Sequence, residues 1–408
     1  MTIFKYFDEF SDVPRSIIVK TEALRQGVSF SQNALNAFKD IDTSFKGYFL
    51  FSYDRGKMVT HDEKIPDHCS LKRDDTPIQL RTYDNTPYVI DAIDSKFYLT
   101  ENKELIEEIY FHPSAKFHSQ KLEDGTPMRS IVDCPGTDLL FVTVNKYCEM
   151  FKDNLQCQFC DFVPTTVAQS KSGEKIIVHK KPEQVAEVLA VALKEARFRH
   201  LFITGGTILS EFQGKTQIEY YCEHLNAIRK RLKVWYPANF QIGAVQEDDW
   251  KRIYDTGVGY VNPNMEVWDR RLFEIICPGK NKYVGYDEWI KRMIKAVDIF
   301  GPGRILPNFV VGIEMSKPNG FTDVDQAVKS ILGGFDFLMS NGVLPRMDLW
   351  CIEPNAILGP QDPPPLEYFL KVGKGYTELR RKHGFDPPGA NSRGSYGIDC
   401  LYDWDYYI

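Results

Sequence analysis

The chain has 408 residues, with 50 basic and 56 acidic side chains and a formal net charge of −6. At roughly 100–200 residues per domain this gives two domains or one large α/β unit with an appendage, and the charge excludes a generally basic nucleic-acid binder while leaving a local patch open. Hydrophobic residues at 43% and charged residues at 26% exclude a disordered composition, and nine cysteines are too sparse for a disulfide scaffold.

No stretch reaches the ~18–20 consecutive apolar residues of a membrane-spanning helix. The first fifteen residues carry acids where a signal peptide needs an apolar core. A cytoplasmic location is expected, with the cysteines as free thiols or ligands. No internal repeat is present.

Residues 1–130 hold short alternating runs, Tyr48–Tyr53 and Tyr88–Leu99, split by turn signals at Asp54-Arg55-Gly56 and Asp84-Asn85. They read as a smaller N-terminal α+β region. From residue 138 the pattern alternates. Leu139–Val144 is of strand type, and Pro182–Arg197 a helix opened by proline. Leu201–Thr204 is a strand ending in Gly205-Gly206, Thr216–Leu232 a helix, Val234–Ile242 a strand and Glu247–Asp255 a helix. Val258–Asn262 is a strand, Tyr286–Phe300 an amphipathic helix, Ile305–Ile313 a strand and Asp323–Ser340 a helix. Val343–Ile352 is the last strand and Leu366–His383 the last helix. Six strand–helix units predict an α/β fold: a partial (β/α)6 TIM-like barrel over 131–360. Residues 361–408 form a C-terminal helix and an aromatic tail capping it. Chemistry belongs at the C-terminal ends of the strands.

Cys148, Cys157 and Cys160 follow the first barrel strand directly, spaced Cys-x8-Cys-x2-Cys. Three thiolates from one loop suit three irons of a [4Fe–4S] cluster, leaving the fourth iron to a small molecule. A zinc site needs a fourth ligand from elsewhere, and buried unrelated thiols are the third reading. The other six cysteines form no short pair. Cys277 and Cys351 fall near barrel ends, as hydrogen-atom donors, metal ligands or plain buried thiols.

Here the chain resembles the radical SAM superfamily, whose members cleave S-adenosylmethionine reductively at a three-cysteine [4Fe–4S] cluster, over residues ~135–355. Phe159 before the last cysteine matches the family pattern, whereas the first gap is longer than the common x3. Thr204, Gly205 and Gly206 stand where the family has a Gly-Gly-Glu-type turn that receives the cofactor's amino group, with Thr207 in place of the Glu. Asn262, Asn264 and Glu266 end the fourth strand, where biotin-synthase-like members contact ribose or carboxylate. Gly312 and Glu314 match the fifth-strand motif beside the adenine. Each motif also has a plain structural reading, as a glycine turn, a helix cap or a buried strand.

The resemblance implies a 5′-deoxyadenosyl radical that abstracts hydrogen from an unactivated carbon, and a low-potential electron donor such as ferredoxin or flavodoxin. It implies a peptide, protein or small-molecule substrate, with no nucleic acid and no membrane. Methylation of carbon, with cobalamin as the candidate relay, is the reaction expected from the flanking segments, although no Asp-x-His-x2-Gly cobalamin fingerprint is present. A biotin-synthase-like rearrangement, cleavage or sulfur insertion is the alternative, and a non-enzymatic iron–sulfur or zinc module the third. Tyr236, Asn239, Gln241, Arg304, Arg346, Trp350, Cys351, Glu353 and Asn355 are candidate substrate contacts. Arg270, Arg271 and Lys280 read as solvated.

Overall fold

The computed structural model describes residues 2–46, 54–57, 59, 63–171, 173, 175–233, 238–387, 397, 399–402 and 404. The expected run Tyr48–Tyr53, Tyr236 and much of the aromatic tail lie outside these residues.

The N-terminal part begins with three helices, α1 (Ile3–Glu9), α2 (Arg15–Gln26) and α3 (Gln32–Ala37), the last two separated by the short strand β1 (Ser29–Phe30). Strands β2 (His68–Leu71), β3 (Pro77–Gln79), β4 (Tyr88–Ile93), β5 (Lys96–Glu101) and β6 (Glu104–Tyr110) complete a six-stranded sheet of order β1-β4-β5-β6-β2-β3. The run read as one segment from Tyr88 to Leu99 is a hairpin. Asp94 and Ser95 both take positive φ, as do Asn102 and Lys103 at the next turn. Two-residue turns of that hand match the right-handed twist of paired strands. Pro77 opens β3 at the sheet edge, where its missing N–H costs no ladder bond.

Six parallel strands follow: β7 (Leu139–Asn145), β8 (His200–Gly205), β9 (Ala238–Ile242), β10 (Tyr260–Pro263), β11 (Asn308–Val311) and β12 (Arg346–Leu349). The first four pair in sequence order and the last two pair with each other. Parallel bridges Val261–Ile305 and Glu266–Phe309 join the two groups into one curled half-barrel. β11 and β12 are shorter than expected at both ends; Pro307 and Pro345 precede them, and the Leu344 N–H still donates to Ile305 O and the Arg346 N–H to Pro307 O beyond the regular ladder.

The helices are α4 (Phe162–Lys171), α5 (Pro182–Ala192), α6 (Gln217–Leu232), α7 (Glu247–Asp255), α8 (Arg270–Ile276), α9 (Pro278–Tyr283), α10 (Tyr286–Phe300), α11 (Val324–Ser340) and α12 (Leu366–Lys382). Their starts follow local chemistry. Pro182 sits at the first position of α5, and Thr216 with Glu219 forms a capping box on α6. Among the described residues no helix is long and apolar enough to cross a membrane.

A half-barrel leaves two strand edges open, and one is met by the segment just before it and the other by remote segments. Asp133 pairs with Phe141 of β7 through two backbone bonds. At β12, the Met347 N–H donates to the Tyr402 hydroxyl at 2.8 Å and the Leu349 N–H to the Asp399 carbonyl at 2.9 Å. The buried Arg81 guanidinium donates to the carbonyls of Leu24, Leu349 and Trp350, binding the N-terminal part to the same edge. Lys20, within the buried α2, reaches the Gly397 carbonyl at 2.5 Å. The described part of the tail is therefore packed structure, with Tyr402 and Trp404 buried.

Candidate active site

The cysteine loop leaves β7 at Asn145, whose side-chain oxygen accepts the Tyr147 N–H at 3.1 Å. Backbone bonds clamp the loop from three sides. Gln158 N–H donates to Ile276 O, Gly279 N–H to Leu155 O, Leu358 N–H to Gln158 O and Glu149 N–H to Thr207 O. The Glu149 carboxylate accepts the N–H groups of Leu209 and Ser210, and with Lys152 these bonds hold its pKa near 2 despite burial. The loop is thus tied to the turn after β8 and to the α8–α9 junction.

Close packing explains the glycines of that turn. A Cβ on Gly206 would lie 2.0 Å from the Tyr147 carbonyl oxygen, and one on Gly205 would lie 2.4 Å from the Tyr221 hydroxyl. Gly206 donates its N–H to Asn145 O and accepts from the Tyr221 hydroxyl at 2.7 Å. The plain reading of these glycines, as a turn needing close backbone approach, therefore holds beside any functional one.

Cys148, Cys157 and Cys160 all face a cavity of about 850 Å3 at the C-terminal ends of the strands. Burial pushes the Cys148 and Cys160 thiols up. Cys157 is held below the usual thiol range by a hydrogen bond from Cys277, with the Lys280 charge acting the same way. Among the described residues no three His, Cys, Asp or Glu side chains converge as ligands of a metal ion. A [4Fe–4S] cluster takes one thiolate per iron, so its ligands need not converge on one point. Three soft thiols facing one cavity fit that donor set.

Phe159, Thr204, Gly205, Gly206, Asn264 and Glu266 line the same cavity. Asn262, Gly312 and Glu314 do not. The Asn262 amide donates to Leu306 O at 2.8 Å inside the sheet. Gly312, at φ +110°, packs against the Phe369 ring. Glu314 is fully buried behind it, accepting from the Gly312 N–H and, at 2.8 Å, from the Tyr368 hydroxyl. Burial raises the Glu314 carboxyl to about 7. The strand turns over at Gly312, which carries the expected fifth-strand contacts away from the cavity.

Lys280 overturns its reading as solvated. Its ammonium donates to Glu266 Oε1 and to Asn264 O, both at 2.6 Å, and lies 5.1 Å over the Trp289 ring. Glu266 itself holds φ +74°, a left-handed conformation that costs a non-glycine residue ~1 kcal/mol or more. Paired charges with little exposure and backbone strain mark this corner of the cavity.

Of the other candidates, Gln241, Arg346, Trp350, Cys351 and Glu353 line the cavity. Arg304 instead stacks on Tyr260 at 4.5 Å. Asn239 and Asn355 are not among the lining residues. Sequence reasoning missed Lys280, Asp348, Asp399 and Gln79 as lining residues. For Asp348 a signal existed: Arg346 and Asp348 alternate within an apolar strand whose two faces are both covered, so their side chains point inward.

The chain resembles radical SAM enzymes in its cysteine loop and half-barrel. No protein-family model matches it. In sequence it is similar to the bacteriochlorophyllide c C-7(1)-hydroxylase of Chlorobaculum limnaeum, 24% identical over 293 residues that make up 67% of this chain and 68% of that protein. In structure it is similar to methylornithine synthase, with TM-score 0.43 and 15% identity over 66% of this chain and 78% of that one. It is also similar to a radical SAM methyltransferase from Sphaerobacter thermophilus, with TM-score 0.39 and 13% identity over 74% of this chain and 76% of that one.

Proposed function

We propose that this chain is a radical S-adenosylmethionine enzyme that functionalises an unactivated C–H bond. The observation that carries the reading is the gathering of Cys148, Cys157 and Cys160 with Gly205, Gly206, Asn264 and Glu266 around one cavity. In this reading the three cysteines would hold three irons of a [4Fe–4S] cluster that also binds S-adenosylmethionine. When bound, the reduced cluster and cofactor supply a 5′-deoxyadenosyl radical that takes a hydrogen atom from the substrate.

The chain's own residues position and exclude. The clamped loop fixes the thiols before the cluster arrives. The Gly205-Gly206 turn, Thr204 and Phe159 would help hold the cofactor and cluster from the cavity wall. Glu266, steadied by Lys280, and Asn264 offer polar groups to the ribose end. Phe141, Phe202, Leu349 and Trp350 make the rest of the wall apolar and keep water from the reacting carbon. Residues 1–130 serve as an accessory wall, 131–360 as the catalytic barrel and 361–408 as its cap. A low-potential donor such as ferredoxin or flavodoxin supplies the electron, and the enzyme works in the cytoplasm.

For the fate of the substrate radical, methylation through cobalamin is the first reading, on the strength of the segments flanking the barrel. The similarity to a hydroxylase favours a second, oxygenation of the same kind of C–H bond. Anaerobic reconstitution tests the common step. The expected result is about four irons per chain, a shoulder near ~400 nm and 5′-deoxyadenosine on reduction, all lost in Cys157→Ala. Nucleoside formation without a cluster overturns the reading. A corrinoid spectrum in the purified protein selects methylation over hydroxylation.

A further inference from the structure

The cavity has a second polar group of side chains, built from three separate segments. Arg346 and Asp348 come from β12, Asn308 from β11 and Asp399 from the tail. Arg346 Nη1 donates to Asp348 at 2.5 Å and to Asn308 Oδ1 at 2.9 Å, while its Nη2 lies 3.6 Å from Asp399 Oδ1. One guanidinium thus faces two carboxylates. Asp399 is 7% exposed, and its Oδ1 accepts no hydrogen bond among the described residues. Burial raises the Asp348 carboxyl despite Arg346, and the Asp399 charge adds to the rise. A carboxylate pair with half its compensation, in an apolar cavity, favours an incoming positive charge or N–H donor. The wall beside it is aromatic. The Phe141 and Phe202 rings stack 5.9 Å apart, and Arg346 already lies 5.2 Å over Phe202.

We propose that Asp348 and Asp399 form the substrate-recognition end of the cavity and select a substrate carrying a protonated nitrogen, an amine or guanidine, on an apolar body. Its being the substrate end rests on the radical-enzyme reading, whereas the binding preference does not. The tail, through Asp399, is then part of the specificity apparatus as well as a cover for β12.

The test is equilibrium binding of 2-phenylethylammonium and of 3-phenylpropionate to the reconstituted full-length protein by calorimetry. The ammonium is expected to bind at least about tenfold more tightly, and Asp399→Asn and Asp348→Asn are each expected to weaken it about tenfold. Asp325→Asn, on an exposed ion pair of α11, is expected to leave it unchanged. Equal or reversed preference, no ammonium binding up to about 10 mM, or full affinity in Asp399→Asn overturns the proposal. Should the Asn variants fail to fold by circular dichroism, the wild-type preference decides alone. Iron content and nucleoside formation report separately on the radical reading, so the two can fail independently.

Discussion

The two ends of the cavity are built differently. The cysteine end is assembled from residues 145–160, the turn after β8 and the α8–α9 junction, and is held mainly by backbone hydrogen bonds and by close contacts at Gly205, Gly206 and Gly279. The polar group around Arg346, which Asn308 joins to Asn264 by donating its backbone N–H to the Asn264 side-chain oxygen at 3.2 Å, is assembled from side chains of Gln79, Asn308, Arg346, Asp348 and Asp399, which span most of the chain. A backbone-held site presents the same geometry whatever the neighbouring side chains are, which suits a constant cofactor. A site made of side chains from remote segments can change its chemistry by substitution without disturbing the loop, which suits a variable substrate.

The comparison can be broken most directly at Gly206. Gly206→Ala puts a Cβ 2.0 Å from a backbone oxygen that no rotamer can move. We expect the loop to shift and reconstituted iron to fall to less than about one per chain, with Asp399→Asn retaining about four. Full iron loading in Gly206→Ala would mean that the loop is not backbone-held.

Lys280→Met tests the ion pair with Glu266 at the cysteine end. It leaves Glu266 charged and with little exposure, at a cost of order 3 kcal/mol, read as a melting temperature lower by several degrees. Glu266→Gln combined with Lys280→Met should recover much of that loss. An unchanged melting temperature in the single variant would assign the pair no structural weight.

Glu314 supplies a pH-dependent effect and a control outside both ends. Its folded value of about 7 lies above the ordinary 4.5, so the folded protein binds the proton more tightly than the unfolded chain. Its contribution to stability is therefore present at low pH and declines as pH rises from about 4.5 through about 7. Glu314→Gln keeps an acceptor for the Tyr368 hydroxyl and does not titrate. Relative to the variant, wild-type stability should fall between pH 5 and about 8, followed by thermal melts. Parallel curves would show that Glu314 does not titrate in that window. Cluster loading should be unaffected by the variant.

Much of the half-barrel was readable from local pattern. Helix α10 runs from Tyr286 to Phe300 as its amphipathic spacing requires, and α7 from Glu247 to Asp255. The order of the six strands followed from strand–helix alternation, because short connections and a right-handed crossover leave little choice. The three cysteines and Gly205-Gly206 meet at one cavity for the same reason: they lie within or next to single loops at strand ends. Gly312 and Glu314 misled because a motif gives residue types but not the point where a strand turns over.

Tertiary structure alone decided the rest. Lys280 reads as a surface cation in an exposed-looking Pro-Gly-Lys segment, yet the α8–α9 junction delivers it to Glu266. The role of Arg81 depends on carbonyls 268 and 269 residues away, and that of Asp399 on an arginine 53 positions earlier in sequence. Sequence by itself determined most strands and helices of the half-barrel, their order and the spacing of the three thiols, since these depend on periodicity and near-neighbour chemistry. Which charges are buried, which strand edges are covered and what the far end of the cavity offers a substrate depend on long-range packing, where no local pattern carries the information.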